Sequence, residues 1–213
     1  MKFLITAGPS REPIDPVRFI SNRSSGKMGY AVASAALKRG HSVVLISGPV
    51  ALKPPPGAFC VNVITAADML AAVRKNIKKC DVLVMAAAVS DFRPATFAKK
   101  KLKKSAVPLL LPLRQNPDIL MAIASAKDRR IFVGFAAETG RLRSEAVRKL
   151  KQKKLDLIVA NDVSRPDAGF EADTNRVILF SAGGKHAALP LMTKNKIAEL
   201  IIKWIEQKQA HIS

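Results

Sequence analysis

Apolar positions along this 213-residue chain fall into two kinds of run. Short, nearly unbroken stretches occupy Lys2 to Thr6, Ser42 to Ser47, Cys60 to Ile64, Asp81 to Val89, Ile131 to Ala136 and Asp156 to Ala160. They lack the alternation of a half-wet strand and predict strands buried on both faces. Between them, apolar residues recur every three or four positions, which predicts helices. Gly26 to Gly40 is one, with Ser24 or Ser25 as N-cap and Gly40 just past its end. Ala66 to Lys78, capped by Thr65, puts Met69, Leu70, Val73 and Ile77 on one packing stripe. Leu142 to Lys154 predicts a strongly basic helix. Thr193 opens the last helix, with Ile197, Leu200, Ile201, Trp204 and Ile205 on its apolar face.

Strands alternating with helices fold as right-handed βαβ units, so most of the chain predicts a parallel sheet between helical layers. Two departures come late. Val107 to Leu113 reads as a further strand, and Arg176 to Ser181 with His186 to Leu191 flank Ala182-Gly183-Gly184-Lys185, a hairpin signal. The expected fold is α/β, a Rossmann-like three-layer sandwich with a mostly parallel sheet and a short antiparallel addition. A single domain spans residues 1–213.

One connection breaks the pattern. A strand-to-helix link ordinarily takes a handful of residues, yet this one runs from Ala7 to Ser25. Pro9, Pro13 and Pro16 stiffen it, and Arg11, Arg18, Asn22, Arg23 and several hydroxyls project from it. It leaves the carboxyl end of a parallel strand, where open α/β sheets bind ligands. It therefore reads as a binding loop. Its last part, Asn22-Arg23-Ser24-Ser25-Gly26-Lys27, feeds a helix N-terminus whose free N–H groups and dipole favour an anion. Gly26-Lys27 lacks the hydroxyl residue of a Walker loop. Gly26-x-x-Gly29 is half a dinucleotide fingerprint, a spacing that serves close packing equally well.

Other strand ends add candidates. Ala86, Ala87 and Ala88, before Ser90-Asp91-Phe92-Arg93-Pro94, leave room for a base or ribose, or simply pack tightly. Lys99-Lys100-Lys101-Leu102-Lys103-Lys104 alone suggests a nucleic-acid patch or a solvated charge run. Its place between a strand edge and a strand makes it a flap over polyphosphate, self-repelled until an anion binds. Asn116-Pro117 predicts an Asn N-cap with proline first in the helix, leaving free N–H groups at Asp118, Ile119 and Leu120. Phe135 suits a base or the core, and Glu138 suits a metal or a turn. Lys149 and Lys153 share one helix face.

Charge narrows the partners. Lysine and arginine number 36 against 16 acidic residues, a formal +20. That balance points to nucleic acid or to small polyanions, and an aromatic content of 5% supplies few stacking platforms for single strands. No apolar run reaches membrane-span length, and the N-terminus lacks a leader's pattern. A cytoplasmic protein with no nucleic-acid and no membrane partner is expected. Cys60 and Cys80 are expected as buried free thiols. His41, His186 and His211 are too scattered to predict a metal site.

The whole stretch from Ile5 to Gly29 closely resembles the opening of bacterial phosphopantothenate–cysteine ligase (phosphopantothenoylcysteine synthetase). The resemblance continues, in the family's order, through Ala86 to Arg93, Lys101 to Lys104, Asn116 to Ile119, Gly134 to Thr139 and Ala160 to Val163. It implies a CTP-dependent enzyme of coenzyme A synthesis, with Mg²⁺ as cofactor, that joins 4′-phosphopantothenate to L-cysteine through an acyl-cytidylate. Eukaryotic relatives use ATP, so the nucleotide stays open. A homodimer is implied, with antiparallel strands at its interface and sites that borrow residues from the partner. Many members also carry an N-terminal flavin-dependent decarboxylase domain. The chain is then a stand-alone ligase or an excised half, with a separate phosphopantothenoylcysteine decarboxylase as a partner.

The same resemblance makes Asn22, Lys101 and Arg18 catalytic. It gives the nucleotide to Met85, Ala86, Ala87, Asp91, Lys101, Pro117, Asp118, Ile119, Leu120, Phe135, Lys149 and Lys153. Arg18, Asn22 and Asn161 would bind substrate, and no metal ligand is assigned. Two other classes fit parts of the chain. A basic nucleic-acid-binding module would use the lysine run and the basic helix, but leaves the stiff loop unexplained. An NAD(P)-binding oxidoreductase would use the first βαβ unit, but Gly48-Pro49 stands where its acidic ribose ligand belongs.

Overall fold

The structure is a computed structural model that describes residues 1–103, 110–138, 142–162 and 172–211. The chain begins with β1 (Lys2–Ala7), a small hairpin of β2 (Arg11–Pro13) and β3 (Phe19–Ser21), and helix α1 (Lys27–Lys38). Then come β4 (Ser42–Ser47), β5 (Phe59–Asn62), α2 (Ala66–Ile77), β6 (Val82–Met85), β7 (Phe92–Pro94) and β8 (Leu113–Gln115). A short helix, α3 (Ile119–Ala122), precedes β9 (Ile131–Glu138), α4 (Leu142–Gln152) and β10 (Leu157–Asp162). The last elements are β11 (Thr174–Asn175), β12 (Val177–Ser181), β13 (His186–Ala188), β14 (Met192–Thr193) and α5 (Lys194–Ala210).

Strands β5, β4, β1, β6, β9 and β10 lie side by side in that order and run parallel. Strands β12 and β13 extend the sheet antiparallel, as the glycine hairpin predicts. The chain starts in the middle of the sheet, winds outward to β5, crosses back to β6 and winds the other way. This reversal opens a crevice between β1 and β6 at their carboxyl ends, the ligand position of doubly wound sheets.

The strands are apolar throughout because both faces are covered. Phe3, Ile5, Val43, Leu45, Val82 and Val133 pack in the layer with α1 and α5. Their neighbours Leu4, Ile46, Leu83 and Phe132 face the layer of α2, α3 and α4. Successive residues of one strand thus serve opposite layers, and each such buried side chain contributes about 1.5–3 kcal/mol. Thr65 closes a capping box with Asp68, and Thr193 caps α5 through the Lys196 N–H. The stripe of Met69, Leu70, Val73 and Ile77 is buried as expected. On α5 the buried apolar positions are Ile197, Ala198, Ile201, Ile202 and Ile205, while Leu200 and Trp204 are half-buried.

Several boundaries differ from the sequence reading. Neither Ser24 nor Ser25 caps α1; Gly26 holds that position at φ 77°, with no side-chain cap. The loop must reverse sharply to enter the helix, and only glycine adopts that left-handed turn without strain. The Asp81 to Val89 strand ends at Met85: Ala87 donates to Thr6 Oγ1 (3.3 Å), which interrupts the ladder, and pairing resumes only as an isolated parallel bridge between Pro9 and Ala88, where Ala88 donates to the Gly8 carbonyl (2.9 Å). The strand expected from Val107 appears only at Leu113, paired to β7; Val107, Pro108 and Leu109 lie outside the described residues. Cys80 is buried and free, whereas Cys60 is free but only half-buried on the edge strand β5.

Helix α1 approaches β1 very closely. A Cβ on Gly29 would stand 2.6 Å from the Ala7 Cβ and 3.0 Å from the Thr6 carbonyl oxygen. Gly29→Val is therefore expected to lower stability by about 1–3 kcal/mol or more. The urea midpoint should drop with the m-value unchanged. An unaltered midpoint would mean that α1 is not seated against β1.

Candidate active site

A cleft of about 620 Å³ opens over the crevice between β1 and β6. That volume suits a small ligand of nucleotide size. One wall is the end of the long loop and the start of α1, with Asn22, Ser24, Gly26, Lys27 and Met28. The floor is Met85 to Phe92, and the far wall comes from Gln115 to Leu120, Phe135 to Ala137, Lys149, Lys153 and Asn161. Asn175 and Lys194 close the remaining side.

The floor is stitched to the loop by backbone and amide bonds. Asn22 Nδ2 donates to the Ala88 carbonyl (3.1 Å), and the Ser10 N–H donates to the same oxygen (3.3 Å). The Ser90 N–H donates to Ser10 Oγ at 3.0 Å. Asn116 does not cap α3 as its sequence predicts. Its Nδ2 donates to the Ser90 carbonyl (2.8 Å) and its Oδ1 accepts from Arg93 (2.8 Å), so it braces the floor. Asp118 takes the cap instead, accepting from the Met121 N–H at 3.1 Å. The cap leaves Asp118 Oδ2 to pair with Lys153 Nζ at 2.7 Å.

Two helix starts converge on the cleft, each with a lysine. Lys27 Nζ pairs with Asp173 at 2.6 Å. Lys194, the first residue of α5, is 5% exposed and donates through Nζ to the Ala172 carbonyl at 2.5 Å. Burial, and then the Lys27 charge, pull the Lys194 ammonium below the ordinary lysine range, with Asp173 opposing. A buried cation beside another cation costs stability unless an anion joins them. With Lys149 and Lys153 across the cleft, the walls favour a polyanion.

A family model, DNA/pantothenate metabolism flavoprotein C-terminal domain, matches residues 1–209. The chain belongs to that family. It is 47% identical over 206 residues to the coenzyme A biosynthesis bifunctional protein CoaBC of Escherichia coli (strain K12), covering 95% of this chain and 50% of the relative. The CoaBC of Bacillus subtilis (strain 168) is 48% identical over 203 residues, again 95% and 50%. The chain thus spans about half the length of these relatives. A crystal structure of a CoaBC C-terminal domain superposes with a TM-score of 0.85 at 40% identity, covering 99% of this chain and 96% of that one. Family membership and the Rossmann-like α/β fold both agree with the sequence resemblance.

The cleft gathers most residues that the resemblance assigns: Asn22, Met85, Ala86, Ala87, Asp91, Pro117, Asp118, Ile119, Leu120, Phe135, Lys149, Lys153 and Asn161. It does not gather Arg18 or Lys101. Arg18 lies in the turn between β2 and β3, beside Asp15 and the Leu102 carbonyl. Lys101 is exposed in the adjoining segment, and Lys104 of the lysine run lies outside the described residues. The side chain of Glu138, a candidate metal ligand, is also outside the described part. Among the described residues no group of three or more His, Cys, Asp or Glu is placed to hold a metal.

The structure adds Ser90, Asn175 and Lys194 to the cleft. Ser90 Oγ is buried with no partner among the described residues. A lysine directly after a threonine cap, where an apolar stripe begins, is the only sequence signal for Lys194. Its charged form is the one that binds an anion, so affinity should be full below its folded-state pKa and lost above it. Pyrophosphate affinity, measured by calorimetry, is expected to decline at a pH below the ordinary lysine value of 10.5. Lys194→Met should flatten that decline. Superimposable profiles for the two proteins would take Lys194 out of anion binding.

Proposed function

We propose that the chain is a cytoplasmic phosphopantothenate–cysteine ligase that uses CTP. The observation that carries this reading is the convergence of Asn22, the Ala86 to Asp91 floor and four lysines on one switch-point cleft. The names of the CoaBC relatives, coenzyme A biosynthesis proteins, support the pathway. Small phosphorylated substrates, rather than nucleic acid, then account for the charge.

A carboxylate is a poor acyl donor, so the reaction needs activation. The carboxylate oxygen of 4′-phosphopantothenate attacks the α-phosphorus of CTP, the bond to the β-phosphate breaks, and pyrophosphate leaves. The acyl-cytidylate so formed is attacked at its acyl carbon by the amine of L-cysteine. The amine loses a proton, the acyl–oxygen bond breaks, and CMP leaves with the amide made. Mg²⁺ would supply charge neutralisation on the phosphates. Such an ion is usually held by one or two carboxylates together with the substrate's own phosphates; of the two carboxylates lining the cleft among the described residues, Asp118 is engaged by the Met121 N–H and Lys153, which leaves Asp91 for that role.

The chain's residues act by position and charge. Asn22 spends one amide N–H on Ala88 and keeps the other to donate to the acyl or phosphate oxygens. Asp91, Pro117 to Leu120, Phe135, Lys149 and Lys153 would hold the nucleotide, and Asn161 the pantothenate side. Arg18 and Lys101 serve the cleft of a second copy. The two hairpins that hold them also expose apolar residues: Val17 and Phe19 on the first, and Phe92, Phe97, Leu110, Leu111 and Leu113 on the second. An apolar patch of that kind is what a two-fold dimer interface covers. A decarboxylase, separate or fused, would consume the product.

Pyrophosphate release tests the reading. It should require phosphopantothenate and CTP but not cysteine, while amide formation requires all three. No pyrophosphate with either CTP or ATP, Mg²⁺ and phosphopantothenate would sink it. Asn22→Asp is nearly isosteric but loses the bond to the Ala88 carbonyl and sets a carboxylate beside the oxyanion that forms when cysteine attacks. Losing one oxyanion donor costs about a hundred- to thousand-fold in rate, so the second step should slow most and acyl-cytidylate should accumulate in quenched samples read by mass spectrometry. Normal turnover by this variant would remove Asn22 from the mechanism.

A further inference from the structure

Asp15 lies in the turn between β2 and β3, with a side chain that is 0% exposed. A carboxylate so buried must have its oxygens satisfied, and the choice of partners is informative. Oδ1 accepts from the backbone N–H groups of Val17 (2.8 Å) and Arg18 (2.9 Å). Oδ2 accepts from Arg18 Nε (3.0 Å) and Nη2 (2.5 Å), and from the Leu102 N–H at 3.2 Å. Arg18 Nη2 donates in addition to the Leu102 carbonyl at 3.0 Å. Next to Asp15, the Ile14 carbonyl accepts from the Ala98 N–H at 3.0 Å. One turn therefore grips both ends of the segment that carries Lys99, Lys100 and Lys101.

Two features make this more than loop packing. Left alone, the lysines of that segment repel one another and would spread its conformations. The contacts to Leu102 oppose this at the residue next to Lys101. Secondly, the same carboxylate orients the Arg18 guanidinium, whose flank remains 42% exposed on its side chain. The Arg18 charge holds the Asp15 carboxyl well below the usual carboxylate range, so the tie persists at neutral pH.

We propose that Asp15 is a positioning residue of the reaction, a single buried carboxylate that presents Arg18 and the Lys101 segment as one preset pair of cations. This rests on the ligase reading above. A pair so preset reaches the α-phosphate without having to be ordered on each turnover, and a displacement of about an ångström in such a group can cost about a hundredfold. Asp15→Asn keeps the shape but turns an amide donor towards donors. Its kcat is expected to fall about 10- to 100-fold, while KM for CTP stays within about threefold, since the nucleotide walls are untouched. Amide exchange in the substrate-free variant should quicken at Leu102 by about tenfold or more. A merely structural anchor would lower the melting temperature without splitting kcat from KM.

A variant with wild-type kcat, or one with slow Leu102 exchange, overturns the positioning role. Should the variant not fold, the unmodified protein still decides. Its Leu102 amide must exchange more slowly than those of Lys101 and Lys103, and equal rates overturn the tie. Wild-type protein that releases no pyrophosphate overturns the ligase reading beneath the proposal, an outcome that the substrate-free exchange measurement keeps separate.

Discussion

Strands β1 and β6 pair without a break only as far as Thr6 and Met85 and rejoin at a single parallel bridge between Pro9 and Ala88, and the site depends on how the two chains are held together beyond the continuous ladder. A parallel ladder that ends leaves carbonyl and amide groups in need of partners. Here the two exits satisfy each other. Ala88 donates to Gly8, Ser10 donates back to Ala88, and Ser90 donates to the Ser10 hydroxyl. The result is a rigid floor of small residues rather than a pair of independent loops. Asn22 and Asn116 are pinned to that floor from opposite sides, so the cleft's two walls take their positions from it.

Electrostatics then sets what the cleft accepts. The charge of +20 acts at long range and draws any polyanion, but it does not choose a site. Selection comes from lysines whose surroundings make them costly when alone. Lys194 is buried next to Lys27, while Lys153 on the far wall is paired with Asp118 of the same wall. The burial of Lys194 beside Lys27 acts against its charge and prepares that wall for phosphate, the usual exchange of stability for binding at functional sites. Asp15 follows a different logic. It is fully paired inside the protein and spends its charge on placing other groups.

Much of this was legible in the sequence, for identifiable reasons. Buried parallel strands such as Val82 to Met85 have no polar face, so their runs of apolar residues announce them. The Thr65 capping box and the α2 stripe are local patterns that depend on few distant contacts. The floor residues Ala86, Ala87 and Asp91 stand at a strand end, where such sheets carry ligands, but their composition suits close packing as well, and the family resemblance singled them out. What escaped depends on partners far away in the chain. Asn116 looks like a cap until Ser90 and Arg93 claim its amide, and Ser24 looks like a cap until the turn demands Gly26. Lys194 shares no motif with Lys27, and only the packing of α5 against α1 brings them together. Arg18 and Lys101 were named through resemblance, and only the structure sets them beside each other and away from their own cleft.

Every role proposed for the cleft residues requires that a nucleotide bind in the crevice between β1 and β6. Hydrogen exchange of the intact chain with and without saturating CTP tests it most directly. The account predicts slowed exchange across Ala86 to Phe92, at the start of α1 and at Ile119 to Met121, with the outer face of α4 around Val147 and Lys151 unchanged. Slowing confined to α4, or no slowing at the crevice, would contradict it.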